Sequence, residues 1–148
     1  PDSRLIKNTG ADIMLKTALI NPLIMKQLSL LGHADKILIA DGNYPLDSRS
    51  GSAEKVYLGL TAGVPTVTQV LETLAQVINI EKAEVMVPDD GTTPPIFEEF
   101  TKILDGMKLD ELGRYEFYDA GCDPAVRLAI STGEKRIYAN ILITVGVA

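Results

Sequence analysis

Lys36-Ile37-Leu38-Ile39-Ala40-Asp41 is a continuous apolar run closed at each end by a charge, and Leu31-Gly32-His33-Ala34-Asp35 leads into it. Four consecutive aliphatic side chains fit neither helical nor alternating spacing. The run therefore reads as a strand buried on both faces, the kind flanked by helices in α/β proteins. Gly32 reads as the stop of the preceding helix, and Asp41 sits where the buried strand emerges. His33 is the only histidine of the chain, and imidazole is the side chain whose ordinary pKa lets a proton move either way near neutrality. His33 and Asp41 are thus expected to bring a proton donor and a hydroxyl acceptor into one cleft. On spacing alone, a capping or half-buried histidine explains the segment equally well.

Working outward, Asn21-Pro22 gives a cap followed by proline at the first helical position, and Leu23, Met25, Leu28, Leu30 and Leu31 supply an apolar face. Residues 42–55 form a long loop, a feature that in compact domains is often functional. A short strand is predicted near Val56–Leu60, then a turn at Thr61–Pro65. Thr66 caps a helix whose stripe is Val67, Val70, Leu71, Leu74, Val77 and Ile78. Ala83–Val87 reads as another buried strand and Asp89–Pro95 as another loop. Ile96, Phe97, Phe100, Ile103 and Leu104 mark a third helix, stopped at Gly106. Residues 113–121 could alternate as a strand, but helical spacing sets Arg114 and Tyr118 one turn apart on one face, and a helix is preferred. Arg127–Ser131 and Asn140–Val145 complete the strands. The expectation is a single α/β domain: a three-layer αβα sandwich around a central sheet, mostly parallel or mixed. Pro1–Ile13 is polar and reads as an N-terminal extension or cloning remnant outside a domain spanning 14–148.

Composition narrows the function classes. The chain has 148 residues, 46% of them apolar and 23% charged, with a net charge of −6. That balance is ordinary for a globular domain with a sizeable core. The scattered basic residues argue against nucleic acid, and no apolar run approaches the roughly 18 residues of a membrane span. A single cysteine, Cys122, fits a reducing cytoplasm and is read as incidental, with no base near it in sequence to activate it. One histidine and one cysteine make a soft-metal site improbable. Asp89-Asp90-Gly91 lacks the alternating ligands of a calcium loop, and Gly133-Glu134-Lys135 lacks the spacer of a phosphate loop. No metal and no cofactor are expected.

Leu31-Gly32-His33-Ala34-Asp35, then Ile39-Ala40-Asp41, then Thr132-Gly133-Glu134 with Tyr138-Ala139-Asn140-Ile141-Leu142 and Gly146-Val147 resemble the D-ribose pyranase / L-fucose mutarotase family. The resemblance runs from about Met14 to the C-terminus. It implies cofactor-free interconversion of sugar ring forms by an assembly of subunits, a pentameric ring or two stacked rings making a decamer, with sites near subunit boundaries. It makes His33 the proton donor and Asp41 a ligand of sugar hydroxyls, with Tyr138, Asn140 and the backbone of Ala139 also on the sugar. Arg114-Tyr115-Glu116-Phe117-Tyr118 and Met14-Leu15-Lys16-Thr17 resemble the fucose branch, in which the tyrosine takes part in proton transfer and the arginine lines the site. Leu60-Thr61-Ala62-Gly63-Val64-Pro65 with Gln69-Val70-Leu71 resembles the ribose branch. An acidic stretch typical of the fucose enzymes is replaced around Val56–Leu60. Glu81 aligns loosely with an acidic residue of animal fucose mutarotases, and Met86 joins it as a further candidate.

The chemistry accords with these residues. Changing the anomer or ring size of a sugar means opening a hemiacetal: a base takes the anomeric hydroxyl proton while an acid protonates the ring oxygen. His33 suits one role and Tyr118 the other, with the Arg114 cation favouring phenolate. Asp41 can accept from adjacent hydroxyls, Asn140 can donate and accept, and Tyr138 or Tyr44 can cover an apolar sugar face. Taken singly, Asn140 reads as a turn residue and Tyr138 as an aromatic at the start of a strand. The leading expectation is a cytoplasmic homo-oligomeric mutarotase acting on a free monosaccharide such as fucose, ribose or a relative. A non-catalytic sugar-binding protein associated with uptake is the alternative, and a structural oligomer with a vestigial pocket is a third.

Overall fold

The structure, a computed structural model, describes residues 14–148. The reading of 1–13 as an extension lies outside the described residues. Within them the chain forms α1 (Pro22–Leu30), β1 (Lys36–Ala40), β2 (Glu54–Tyr57), α2 (Val67–Ala75), β3 (Ile80–Met86), α3 (Ile96–Ile103), β4 (Leu109–Leu112), α4 (Arg114–Gly121), β5 (Val126–Ser131) and β6 (Ile141–Val145). The strands build one mixed sheet in the order β2-β5-β1-β6-β3-β4. All neighbours are parallel except β6, which runs antiparallel to both β1 and β3.

β1 explains its own sequence. It lies between β5 and β6, and Ile37, Leu38, Ile39 and Ala40 are all fully buried. Ile37 and Ile39 point into the larger core beneath α1, α2 and α3, with Ile24, Leu71, Leu74, Phe97 and Phe100. Leu38 and Ala40 point to the other face, where Phe117 of α4 and Tyr44, Leu46 and Ala53 of the 42–53 loop cover the sheet. The sandwich thus has three helices on one side and one helix plus a packed loop on the other.

The helix starts follow their caps. Asn21 Oδ1 accepts from the Ile24 N–H at 3.0 Å. Thr66 and Gln69 form a reciprocal capping box, the hydroxyl accepting from the Gln69 N–H and the amide oxygen from the Thr66 N–H. Arg114–Gly121 is helical, with the Glu116 carboxylate accepting the Gly113 N–H. The stop of α1 falls just before Gly32 as expected, but Gly32 is not the left-handed residue of the turn. The helix ends at Leu30, before Gly32, and the left-handed residue of the turn is Ala34 at φ 74°. The turn is held by the Ala34 N–H on the Val145 carbonyl and by Gly32 N–H on the Asp35 carboxylate, so a glycine is not what it requires. β4 escapes the sequence pattern: Leu-Asp-Glu-Leu at an exposed sheet edge carries too few apolar residues to announce a strand. β2 starts two residues earlier than predicted and ends at Tyr57.

Phe100 is fully buried where α3 packs beneath the sheet. Phe100→Ala is expected to destabilise the fold by about 3–5 kcal/mol, read as a lower denaturation midpoint at unchanged slope.

Candidate functional site

The candidate site forms where β1 and β3 end and β6 begins, the carboxyl edge of the parallel strands, where α/β sheets hold their ligands. Asp41, Asn43, Tyr44, Met86, Arg114, Tyr118, Ile137, Tyr138 and Asn140 line a cavity of about 190 Å³. Its floor is tied by a reciprocal exchange of hydrogen bonds. The Asp41 N–H donates to Asn140 Oδ1 at 2.8 Å, and Asp41 Oδ2 accepts the Ala139 N–H at 3.1 Å. Asp41 Oδ1 accepts the Asn43 N–H at 2.9 Å. Each carboxylate oxygen therefore keeps lone pairs for another donor. Asn140 Nδ2 has no partner among the described residues.

Burial pushes the Asp41 carboxyl above the usual carboxylate range, opposed by the N–H groups of Ala139, Asn43 and Tyr44 and abetted by the Glu134 charge. Arg114 has no carboxylate partner among the described residues, and Tyr118 first, then Tyr138, hold its guanidinium still more firmly protonated. Tyr118 meets Tyr44 and Tyr115 edge-to-face, and the Arg49 guanidinium lies 5.1 Å from its ring centre. Burial raises Tyr44 so far that it stays a neutral phenol, its hydroxyl donating to the Arg49 carbonyl. Tyr138 is held at φ 56°, a left-handed conformation that costs a non-glycine residue about 1–3 kcal/mol and gathers at functional sites. The arrangement offers a carboxylate, an amide donor, a guanidinium and two phenols around a space of small-molecule size, a set suited to a polyhydroxylated ligand.

The structure brings Asp41, Met86, Arg114, Tyr118, Tyr138 and Asn140 together and uses the Ala139 N–H to hold Asp41. It does not bring His33 to them, which corrects the expectation of a shared cleft. His33 precedes β1 and Asp41 follows it, and an extended strand of this length rises roughly 17 Å without folding back. His33 is instead half-exposed at the opposite edge of the sheet, its Nε2 2.9 Å from Glu81 Oε1 at the start of β3. His33 and Glu81, which the sequence reading did not pair, are therefore partners. Asn43 and Ile137 line the cavity and were missed by sequence reasoning, though both are neighbours of quoted motif residues; Arg49, which backs Tyr118 without lining the cavity, gave no signal within its loop.

Among the described residues no group of acidic, histidine or cysteine side chains is placed to hold a metal ion, and no helix is long and apolar enough to cross a membrane.

Fold and cavity define a small α/β protein with a polar pocket of small-molecule size at the carboxyl edge of its sheet. Residues 14–148 match the model of the RbsD / FucU transport protein family, and the chain belongs to that family. A D-ribose pyranase of Staphylococcus haemolyticus is 35% identical over 134 residues, covering 90% of this chain and 98% of the relative. The structure of Bacillus subtilis RbsD complexed with D-ribose superposes with a TM-score of 0.80 at 27% identity, covering 91% of this chain and 99% of the other. The fucose mutarotase of Streptococcus pneumoniae in complex with L-fucose gives 0.73 at 25% identity, covering 87% and 94%. The chain is accordingly an isomerase of the mutarotase type.

The folded state holds the Asp41 proton more tightly than the unfolded chain does. Stability therefore falls as pH rises from the ordinary aspartate value to the raised one, where the folded state alone keeps the proton. Asp90 is the internal contrast, exposed and lowered by the Thr92 hydroxyl and N–H. In a carboxyl-detected NMR titration Asp41 is expected to titrate above Asp90; the reverse order would contradict the burial argument.

Proposed function

We propose that this chain interconverts the ring forms of a free monosaccharide, without a cofactor, at a site built between two copies of itself. One copy contributes the cavity of Asp41, Arg114, Tyr118, Tyr138 and Asn140, and the other contributes His33 with Glu81. The observation that carries the reading is the location of His33: a half-exposed imidazole, oriented by a carboxylate, a full strand length from a polar cavity in its own chain.

Asp41 accepts from sugar hydroxyls through the lone pairs its backbone donors leave unused, Asn140 Nδ2 donates, and Tyr138 covers a face of the ring. His33 exchanges a proton with the sugar during ring opening and closure, and Tyr118 handles the proton at the complementary oxygen while Arg114 supplies positive charge beside it. With Nε2 facing Glu81, Nδ1 is the nitrogen left to meet a sugar oxygen. The names of the relatives support the sugar class, D-ribose for one set and L-fucose for another. The arginine–tyrosine pair on α4 favours the fucose-like side, and the Leu60–Pro65 turn the ribose-like side.

NMR magnetisation exchange over a panel of free sugars including D-ribose and L-fucose tests the activity. The protein is expected to speed exchange of at least one, and a sugar bound without acceleration would leave a binding protein instead. His33→Ala is expected to lower the exchange rate by about 10²–10⁴-fold with affinity largely kept. For the shared site, co-refolding His33→Ala with Asp41→Ala chains should restore up to about a quarter of the wild-type activity, as random pairing in a ring predicts. No recovery, or a monomeric mass for the active protein, would overturn the two-copy site.

A further inference from the structure

The segment that carries Tyr138 over the cavity is fixed at both of its ends. At the start, the Thr132 hydroxyl donates to the Ala40 carbonyl at 2.8 Å and the Gly42 N–H donates to the Glu134 carbonyl at 2.8 Å. At the finish, the Ala139 N–H donates to Asp41 Oδ2. Between them Lys135 and Ile137 are exposed, and the Tyr138 hydroxyl makes no hydrogen bond among the described residues. One side chain ties down the middle. Arg136 donates from Nε at 3.1 Å and Nη2 at 3.2 Å to the Glu134 carboxylate, and from Nη1 to Glu99 of α3. Glu134, 4% exposed, also accepts the Val67 N–H at the first turn of α2. Arg136 thus bolts the arch to two helices of the large core two residues before Tyr138 takes up its left-handed backbone.

We propose that Arg136 is a positioning residue of the sugar site: its planar fork between Glu134 and Glu99 sets the arch that aims Tyr138 into the cavity and presents the Ala139 N–H to Asp41. The geometry favours an arginine specifically, because a lysine ammonium cannot span two carboxylates with the same fixed fork. Ile137 and Tyr138 also border a second space of about 600 Å³ under the 88–95 loop, so an arch released from its bolt has room to swing away from the cavity. The effect on ligand rests on the mutarotase reading; the effect on the arch does not.

The test compares Arg136→Gln and Arg136→Lys with wild type by amide hydrogen exchange without sugar, and by affinity for the sugars that wild type binds. Arg136→Gln is expected to speed exchange of the Ala139 amide by roughly tenfold or more while the sheet amides of Leu38 and Leu142 hold their protection. It should weaken sugar affinity by roughly tenfold with a smaller effect on turnover, since the proton-transfer groups remain. Arg136→Lys should fall between the two, and Glu99→Gln should shift Ala139 in the same direction by less. Unchanged Ala139 protection would overturn the proposal, and so would equal loss at Leu38 and Leu142, which marks a purely structural role. If wild type binds no sugar, the functional reading fails, yet the amide comparison still decides the positioning role.

Discussion

The exchange of hydrogen bonds between Asp41 and the Ala139-Asn140 pair is the constraint on which the cavity depends. It joins the last turn out of β1 to the first residue before β6, strands almost a hundred positions apart in sequence, and it uses side chains where the sheet ladder has just ended. An acidic group at 2% exposure is costly to bury, and the N–H groups on both carboxylate oxygens offset that cost. The same bonds orient the remaining lone pairs and the Asn140 amide toward open space. The structural clamp therefore shares its atoms with the surface proposed to bind sugar hydroxyls.

From that clamp the rest of the site is arranged in a ring. α4 brings Arg114 and Tyr118 from one side, the 42–53 loop brings Tyr44 and Arg49 from beneath, and the 132–138 arch closes the other side with Tyr138. Backbone strain at Tyr138 is tolerated because its neighbours on both sides are fixed, through Asp41 on one side and through Arg136 on the other. Two other non-glycine residues share this conformation among the described residues: Asp105 just after α3, and Ala34, which lies beside His33 at the opposite sheet edge and is held by the Val145 carbonyl.

Much of the fold was legible because burial leaves a strong periodic trace. The continuous run of β1, the capped stripe of α2 and the aromatic face of α3 each follow from which residues must leave water. β4 was missed because an edge strand needs no apolar run, and the left-handed turn at Ala34 was not legible because tertiary hydrogen bonds, rather than a glycine, hold it. Most of the cavity lining was legible through the ordered motifs around Asp41, Arg114, Tyr118 and Tyr138–Asn140. Arg49 and the Glu134–Arg136–Glu99 clamp were not, because charged residues look alike in sequence until their partners are known.

The sequence by itself determined the layered α/β class, the identity of the polar residues at the strand ends and the resemblance that groups them. Hydrophobic periodicity and residue chemistry are local properties, and a single chain displays them in order. Only the tertiary structure decided which of those residues share a space. Eight positions separate His33 from Asp41, but an extended strand turns that short separation into its full length, whereas Asp41 and Asn140 become neighbours because β6 returns antiparallel beside β1. Sequence distance does not measure spatial distance in a sheet; strand direction and pairing do.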